Sequence, residues 1–292
     1  EGRPRRRPRR RRARSAHVVI AAVLAPSPTL IAELAVGAFV AGFINSIAGG
    51  GGLITVPLLM ATGLPTPLAL GTNKGQAVFG AASSVYGFAA RGEIDRPRAL
   101  PAFVAAGVGG LFGAFLQSLL DKKTLEPLCL VLLVAALGTL FLPKRAPSPM
   151  EAEVPEVNQQ LVPRSRAWIE EQNGFLLAGF ACLLGTYDGF FGPGTGTLLA
   201  IGYERFFGDG VVRASGNAKV ANFASNLTAF SLALFQGNVR FSIALPMAAA
   251  SIVGSLVGAR VAVKGGAVVV RYAIVAAVLA LVAKIGHGLL VR

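Results

Sequence analysis

Residues 42–52 read GFINSIAGGGG and residues 185–196 read GTYDGFFGPGTG, so a glycine-rich pattern occurs twice in one chain. Working outward, the match continues at nearly constant spacing. Gly71, Lys74, Gly92, Pro101, Gly109 and Gly113 are matched by Gly216, Lys219, Gly237, Pro246, Gly254 and Gly258. Self-similarity at a fixed spacing is the signature of an internal repeat. The sequence therefore predicts one duplicated unit that folds as two pseudo-symmetric halves.

The composition indicates that these halves fold in a membrane. The chain is 53% apolar and 14% charged, whereas soluble domains carry roughly 25% charged residues. About 20 apolar residues span a bilayer as a helix, and apolar runs of about that length occur at 99–120, 125–142, 243–263 and 267–283. Because such runs do not alternate with polar residues, we expect helices rather than a barrel. The predicted fold class is an all-α polytopic membrane protein.

Charge and composition divide the chain into four parts. Residues 1–29 form an arginine-rich tail, 30–142 the first transmembrane repeat, 143–173 a polar linker and 174–292 the second repeat. The tail could bind nucleic acid or lipid headgroups, serve as a presequence, or be disordered. We favour a disordered tail at the membrane surface and expect no nucleic-acid partner.

Each half contains five apolar segments, at 30–48, 53–64, 69–90, 99–120 and 125–142, then at 174–191, 197–207, 214–236, 242–263 and 267–289. The second segment of each half is too short to span, so it is predicted to be a half-helix or re-entrant arm. An odd number of segments predicts that the halves are inverted, as in many secondary transporters. Inverted halves would place the basic loops together on the cytoplasmic side, as membrane proteins prefer. They would also place both termini outside, whereas an arginine-rich tail normally stays cytoplasmic. The orientation stays open.

The glycine clusters are the first candidate site. Glycine and proline destabilise helices, so Gly50, Gly51 and Gly52, and Gly194, Thr195 and Gly196 with Pro193, should break them. A broken helix exposes backbone N–H groups at the positive end of its dipole, which suits an anion. Asn45 precedes the first cluster. The alternative is that these glycines only allow close helix packing.

Paired lysines are the second candidate. Lys74 and Lys219 occupy matching positions, beside Asn73 and Asn217, and the two lysines could flank one anion. The alternative is that each lysine extends to the membrane surface. Asp188, matched by Asn45, could bind a proton or pair with either lysine. Asn222 and Asn226 add a polar stripe.

These residues resemble the TauE/SafE sulfite exporter family. The resemblance rests on residues 42–52 with Pro57, on residues 189–196 and on the two lysine segments, within roughly residues 30–290. It implies an inner-membrane permease for sulfur-containing anions such as sulfite or organosulfonates.

The expected function is alternating-access transport of such an anion, with proton coupling at Asp188. The alternatives are an anion channel, a membrane scaffold and an intramembrane enzyme. No nucleophile–base or H-E-x-x-H pattern occurs, so no enzyme is expected. His17, His287, Cys129 and Cys182 form no metal-binding pattern, so neither a metal nor another cofactor is expected. The expected partners are the anion and the lipid bilayer, with a homo-oligomer left open.

Overall fold

The computed structural model describes residues 26–138 and 166–263. These residues form nine α-helices and no strand, which confirms the all-α prediction for this part of the chain. The helices are α1 Pro28–Ala48, α2 Gly52–Ala61, α3 Thr66–Ala89, α4 Arg96–Ser118, α5 Lys122–Gly138, α6 Arg166–Phe190, α7 Thr195–Phe206, α8 Val211–Phe235 and α9 Phe241–Val263. The arginine run, most of the linker and the apolar segment 267–289 lie outside the described residues.

Both glycine clusters break a helix, as predicted. Between α1 and α2, Gly49 and Gly50 have φ of 75° and 88°; between α6 and α7, Gly192 and Gly194 have φ of 100° and 87°. Side chains disfavour these positive values, and glycine adopts them freely. The helices that follow, α2 and α7, have 10 and 12 residues. At 1.5 Å per residue they are about 15 to 18 Å long, roughly half the thickness of a bilayer core.

The start of α6 differs from the prediction. The polar linker was placed at 143–173, but α6 begins at Arg166. After Pro163 the sequence contains no proline until Pro193, and residues 166–173 include good helix formers such as Glu170, Glu171 and Gln172. The polar composition of this stretch predicts a linker. Polar residues of these types also favour a helix, so α6 extends through it.

The helices pack mainly across the two halves of the chain. Helix α1 packs against α9, and α4 packs against α6. Helix α3 contacts α9 and α4 contacts α8, while α3 and α8 meet each other at the centre. Each of these cross-half contacts has an equivalent with the halves exchanged, so neither half forms its core alone.

Glycines at matched positions make the closest of these contacts. A Cβ atom at Gly109 or Gly113 of α4 would collide with the backbone carbonyl of Cys182 or Thr186 in α6. At the matched positions, Gly254 and Gly258 of α9 face the carbonyls of Phe39 and Phe43 in α1 in the same way. At these four positions the absence of a side chain lets the two helix backbones approach closely. Inversion of the halves across a membrane stays a prediction.

Among residues 26–138 and 166–263, three helices are long and apolar enough to cross a membrane: Pro28–Ile47, Arg96–Ser118 and Phe241–Ala262. Each also presents apolar side chains outward, such as Val36 on α1, Val108 on α4 and Val253 on α9, all more than half exposed. Buried polar side chains concentrate instead on the central helices α3 and α8. This distribution, apolar outside and polar at the centre, suits a protein surrounded by lipid.

Candidate functional site

A cavity lies where the two broken helices meet α3 and α8. About 460 Å³ of empty space lies around this point, a figure that includes open solvent. Small residues and amides form most of its wall. The lining residues are Ala41, Gly42 and Asn45 of α1; Gly50, Gly51 and Gly52; Asn73, Lys74, Gln76 and Ala77 of α3; Asp188, Gly192 and Gly196; Asn222 and Asn226 of α8; and Ser251 of α9.

An ion pair between the two halves borders this cavity. Lys74 Nζ lies 3.1 Å from Asp188 Oδ1 and donates a second hydrogen bond, of 2.5 Å, to the Asp188 backbone carbonyl. Lys74 is 5% exposed and Asp188 is 1% exposed. Of the two partners that the sequence allowed for Asp188, the structure selects Lys74. A smaller cavity of about 280 Å³ reaches the same lysine from the side of Gly71 and Gly189.

Helix α8 supplies the other partners of the Asp188 carboxylate. Asp188 Oδ2 accepts hydrogen bonds from Asn226 Nδ2 at 2.9 Å, from Asn222 Nδ2 at 3.3 Å and from the Ser225 hydroxyl. These residues lie on one face of α8 because residues three and four apart are neighbours on a helix. The Asp188 carboxylate is thus enclosed by donors from α8 on one side and by Lys74 on the other.

The second lysine makes the equivalent backbone contact. Lys219 Nζ donates to the backbone carbonyl of Asn45, the residue matched to Asp188, and the lysine is 1% exposed. Both lysines therefore reach into the opposite half, near the C-terminal end of α1 or α6. The last carbonyls of a helix lack partners within the helix and form the negative end of its dipole. A cation at this end is therefore stabilising. The buried positions also rule out the alternative that these lysines extend to the membrane surface.

The N-terminus of α2 opens onto the cavity. Gly50, Gly51 and Gly52 all line it, and the chain turns into α2 through hydrogen bonds from Leu53 N to Gly50 O and from Ile54 N to Gly51 O. The first N–H groups of a helix have no partner within the helix and lie at its positive end. The positive end of the α2 dipole therefore lies at this wall of the cavity, and the binding of an anion there stays a prediction.

The second glycine break contributes less to the cavity. Gly196 lines it, but Gly194 and Thr195 do not. The Thr195 hydroxyl donates to Gly192 O at 2.8 Å, and the Thr195 backbone N–H donates to the same carbonyl at 3.2 Å. Thr195 therefore closes its own turn, so the two predicted half-sites are unequal.

Asn217 lies away from the cavity. Its Oδ1 accepts from the Asp95 backbone N–H at 2.9 Å and its Nδ2 donates to Asp209 Oδ2 at 2.8 Å. Its matched residue is Thr72, whose hydroxyl oxygen accepts from the Arg240 backbone N–H at 3.0 Å. Asn217 therefore links the loop before α4 to the loop before α8. Its proximity to Lys219 in the sequence does not bring it into the cavity.

Asn73 does line the cavity, within a network that includes a residue missed by sequence reasoning. Asn73 Oδ1 accepts from Thr55 Oγ1 at 2.5 Å and from Gln76 Nε2 at 3.1 Å. Gln76 was not predicted as a site residue, although a glutamine one turn beyond Asn73 in an apolar segment was a usable signal. Gly42, Gly192 and Ser251 were also missed. Gly42 and Gly192 belong to the two repeated glycine-rich motifs, which was a usable signal, whereas no feature of the sequence distinguishes Ser251 from a packing residue.

Comparison with known proteins identifies the family. A sequence model of the sulfite exporter TauE/SafE family matches residues 34–285. The chain belongs to the TauE/SafE family. The chain is also 36% identical to the probable membrane transporter protein ORF9 of a Sinorhizobium species, over 83% of this chain and 87% of that protein. No solved structure matches the chain at a significant level.

Two further relatives of this TauE/SafE protein have similar names. A probable membrane transporter protein of Haemophilus influenzae is 34% identical, over 83% of this chain and 89% of the relative. The probable membrane transporter protein YfcA of Escherichia coli K12 is 32% identical, over 85% and 87%. The chain is therefore a membrane transporter of the TauE/SafE family.

The polar wall of this TauE/SafE transporter is asymmetric despite the repeat. The residues that match Asn73 and Gln76 in the second half are Ala218 and Ala221. Those that match Asn222 and Asn226 in the first half are Ala77 and Ala81. One cavity is thus built from different polar groups of each half. Within residues 26–138 and 166–263, no group of three or more His, Cys, Asp or Glu residues could hold a metal ion.

Proposed function

We propose that the protein carries small sulfur-containing anions, such as sulfite or organosulfonates, by alternating access around the cavity. The observation that carries the proposal is the buried Lys74–Asp188 pair beside the N-terminus of α2, inside a cavity open in part to the surroundings. The family description supplies the class of anion. A cation and a helix N-terminus are the two features that attract a small oxyanion.

Competition between the anion and Asp188 for Lys74 would couple transport of the anion to transport of a proton. An incoming anion that binds Lys74 takes the place of Asp188, whose carboxylate then lies buried without its cation. The hydrogen bonds from α8 remain, but a buried charge without its counter-ion is costly, and proton uptake by Asp188 would remove that cost. Anion binding and proton uptake at Asp188 would then occur together. This gives Asp188 the coupling role expected from the sequence.

Alternating access would use the contacts of Arg98. Arg98 at the start of α4 contacts Asp95 at 2.7 Å and Asp209 in the loop before α8 at 2.5 Å, and Asn217 holds both loops. At the position matched to Asn217, the Thr72 hydroxyl accepts a hydrogen bond from the Arg240 backbone N–H at 3.0 Å. We propose that the Arg98 contacts hold one entrance closed and separate when that entrance opens.

The surroundings of the protein belong to the same proposal. Apolar side chains on the outer faces of α1, α4 and α9 fit a lipid bilayer as the direct partner. We propose a multi-pass protein of the inner membrane. A homo-oligomer would use the same outer faces.

The test is uptake of labelled sulfite, ethanesulfonate and chloride into proteoliposomes, with and without an imposed pH gradient. We expect saturable uptake of the sulfur anions that increases with the gradient, and little chloride uptake. Asp188→Asn should remove the response to the gradient. Asp121→Asn is the matched control, because Asp121 is exposed and caps α5 through Thr124 N, which an asparagine can also do.

Other outcomes would favour other functions. A current that rises without saturation would indicate an anion channel. No flux of any anion under either condition, with Lys74→Leu also tolerated, would favour a scaffold and would refute the proposed transport.

A further inference from the structure

One of the residues that line the cavity has a buried side-chain oxygen without a hydrogen-bond partner among the described residues. Gln76 is 4% exposed, and its side-chain carbonyl oxygen Oε1 has no hydrogen-bond partner among the described residues. The other end of the same amide is fixed, since Nε2 donates to Asn73 Oδ1 at 3.1 Å and lies 3.4 Å from Thr55 Oγ1. A buried acceptor without a donor is unfavourable, so Gln76 Oε1 favours a ligand that brings a hydrogen-bond donor.

The position of Gln76 indicates where that partner would come from. Gln76 lines the cavity together with Asn73, Lys74 and the glycines of the α2 N-terminus. Thr55 and Asn73 already occupy the amide nitrogen, which leaves the oxygen as the free group of the residue. Because the amide is planar and its nitrogen is held, Oε1 keeps its direction, and a ligand has to bring its donor to this oxygen.

The site therefore combines two chemistries. The α2 N-terminus and Lys74 provide positive potential for an anionic group, whereas Gln76 Oε1 accepts a hydrogen bond. An anion without a hydrogen-bond donor can interact only with the positive potential. An anion that also carries an O–H or N–H group can in addition donate a hydrogen bond to Gln76 Oε1.

We propose that Gln76 selects sulfur-containing anions that carry their own hydrogen-bond donor, such as hydroxyalkyl or aminoalkyl sulfonates and singly protonated sulfite. This inference rests on the proposed function and specifies the substrate class of its site. The anionic oxygens bind near the α2 N-terminus, and the donor group of the same molecule is directed to Gln76 Oε1. The repeat provides no second copy of this subsite, because Ala221 is matched to Gln76.

The test compares two sulfonates that differ by one hydroxyl group. Binding of 2-hydroxyethanesulfonate and ethanesulfonate to the purified full chain is measured by calorimetry at one pH, where both are monoanions. A neutral hydrogen bond that also satisfies a buried acceptor predicts about tenfold tighter binding of the hydroxylated compound. Gln76→Met should reduce this ratio to about one, whereas Gln236→Met, at an exposed residue following α8, should keep it.

The ratio of the two affinities separates selectivity from a structural role. If Gln76 only supported the fold, Gln76→Met would lower the affinity for both sulfonates equally and leave the ratio of the two affinities as in the wild type. Equal binding of the two sulfonates by the wild-type protein, or binding of neither, overturns the subsite, and this comparison needs no variant that folds. Uptake of labelled sulfite by the same preparation decides separately whether the proposed function stands.

Discussion

The Lys74 ammonium group joins the two halves of the protein at one residue, Asp188, through both its carboxylate and its backbone carbonyl. The two residues lie 114 positions apart in the sequence. The matched contact, from Lys219 to the Asn45 carbonyl, keeps the backbone bond but has an uncharged side chain in place of the carboxylate. The repeat therefore preserves a structural contact and differs in charge, which makes the Asp188 end the chemically distinct one.

The first prediction concerns the stability of this ion pair. Lys74→Met leaves the Asp188 carboxylate buried without its cation, and breaking a buried pair in this way costs about 3 to 5 kcal/mol. Adding Asp188→Asn removes the unpaired charge, so the double variant should be more stable than Lys74→Met alone. The measurement is thermal unfolding of the purified variants in one detergent.

Lys123→Met is the control for this series. Lys123 is exposed at the start of α5, so its substitution should change stability by less than about 0.5 kcal/mol. If the double variant were less stable than Lys74→Met, the two side chains would not be coupled as the structure indicates.

A second prediction tests the helix contacts at matched glycines. Gly113→Ala and Gly258→Ala each place a methyl group against a backbone carbonyl of the facing helix, Thr186 or Phe43, so both should reduce the yield of folded protein. Gly179→Ala, in the exposed part of α6, meets nothing within 4 Å and should stabilise its helix by up to about 1 kcal/mol. Folded yield by size-exclusion chromatography provides the comparison.

The outcome for the two packing glycines should be similar, because the structure gives them equivalent neighbours. A normal yield for Gly258→Ala together with a poor yield for Gly113→Ala would contradict the equivalence of the α1–α9 and α4–α6 contacts.

A third prediction concerns the network around Arg98. Arg98→Gln removes the contacts to Asp95 and Asp209, so the loops before α4 and α8 should open more often. Hydrogen exchange of backbone amides in residues 91–95 and 207–210 should become faster. Arg96→Gln changes an exposed arginine in the same turn of α4 and should leave the exchange unchanged. Equal exchange in the two variants would show that the network does not hold these loops.

Much of the fold was predictable because membrane helices and glycine breaks leave strong local signals. Each described helix falls within a few residues of a predicted apolar segment, except that α6 begins at Arg166. Hydropathy could not locate that start, since residues 166–173 are polar and still favour a helix. The packing of α1 against α9 and of α4 against α6 could not be predicted from the sequence. The glycines indicated close contacts, but no local pattern identified the partner helix.

The candidate site was predictable where the repeat and the chemistry agreed. Lys74, Asn73, Asn45 and the glycines at 50–52 line one cavity with Asp188, and their role in binding stays a prediction. Asn217 lies elsewhere, since proximity along the chain does not decide where a side chain lies, and the repeat aligns it with Thr72. Gln76 was missed because its importance lies in an unpaired oxygen, which depends on the positions of Thr55 and Asn73 and not on residue type.

The last prediction distinguishes charge from shape at the two lysines. Lys74→Arg and Lys219→Arg both keep a positive charge, yet a guanidinium is planar, larger and hydrated differently from an ammonium group. Each Nζ is buried against one backbone carbonyl, where a compact donor fits. We expect both arginine variants to bind sulfur anions more weakly than the wild type, although less weakly than the alanine variants. Binding isotherms for sulfite would measure this order. Wild-type affinity in both alanine variants would exclude the lysines from the binding of the anion, since neither the charge nor the contact would then matter.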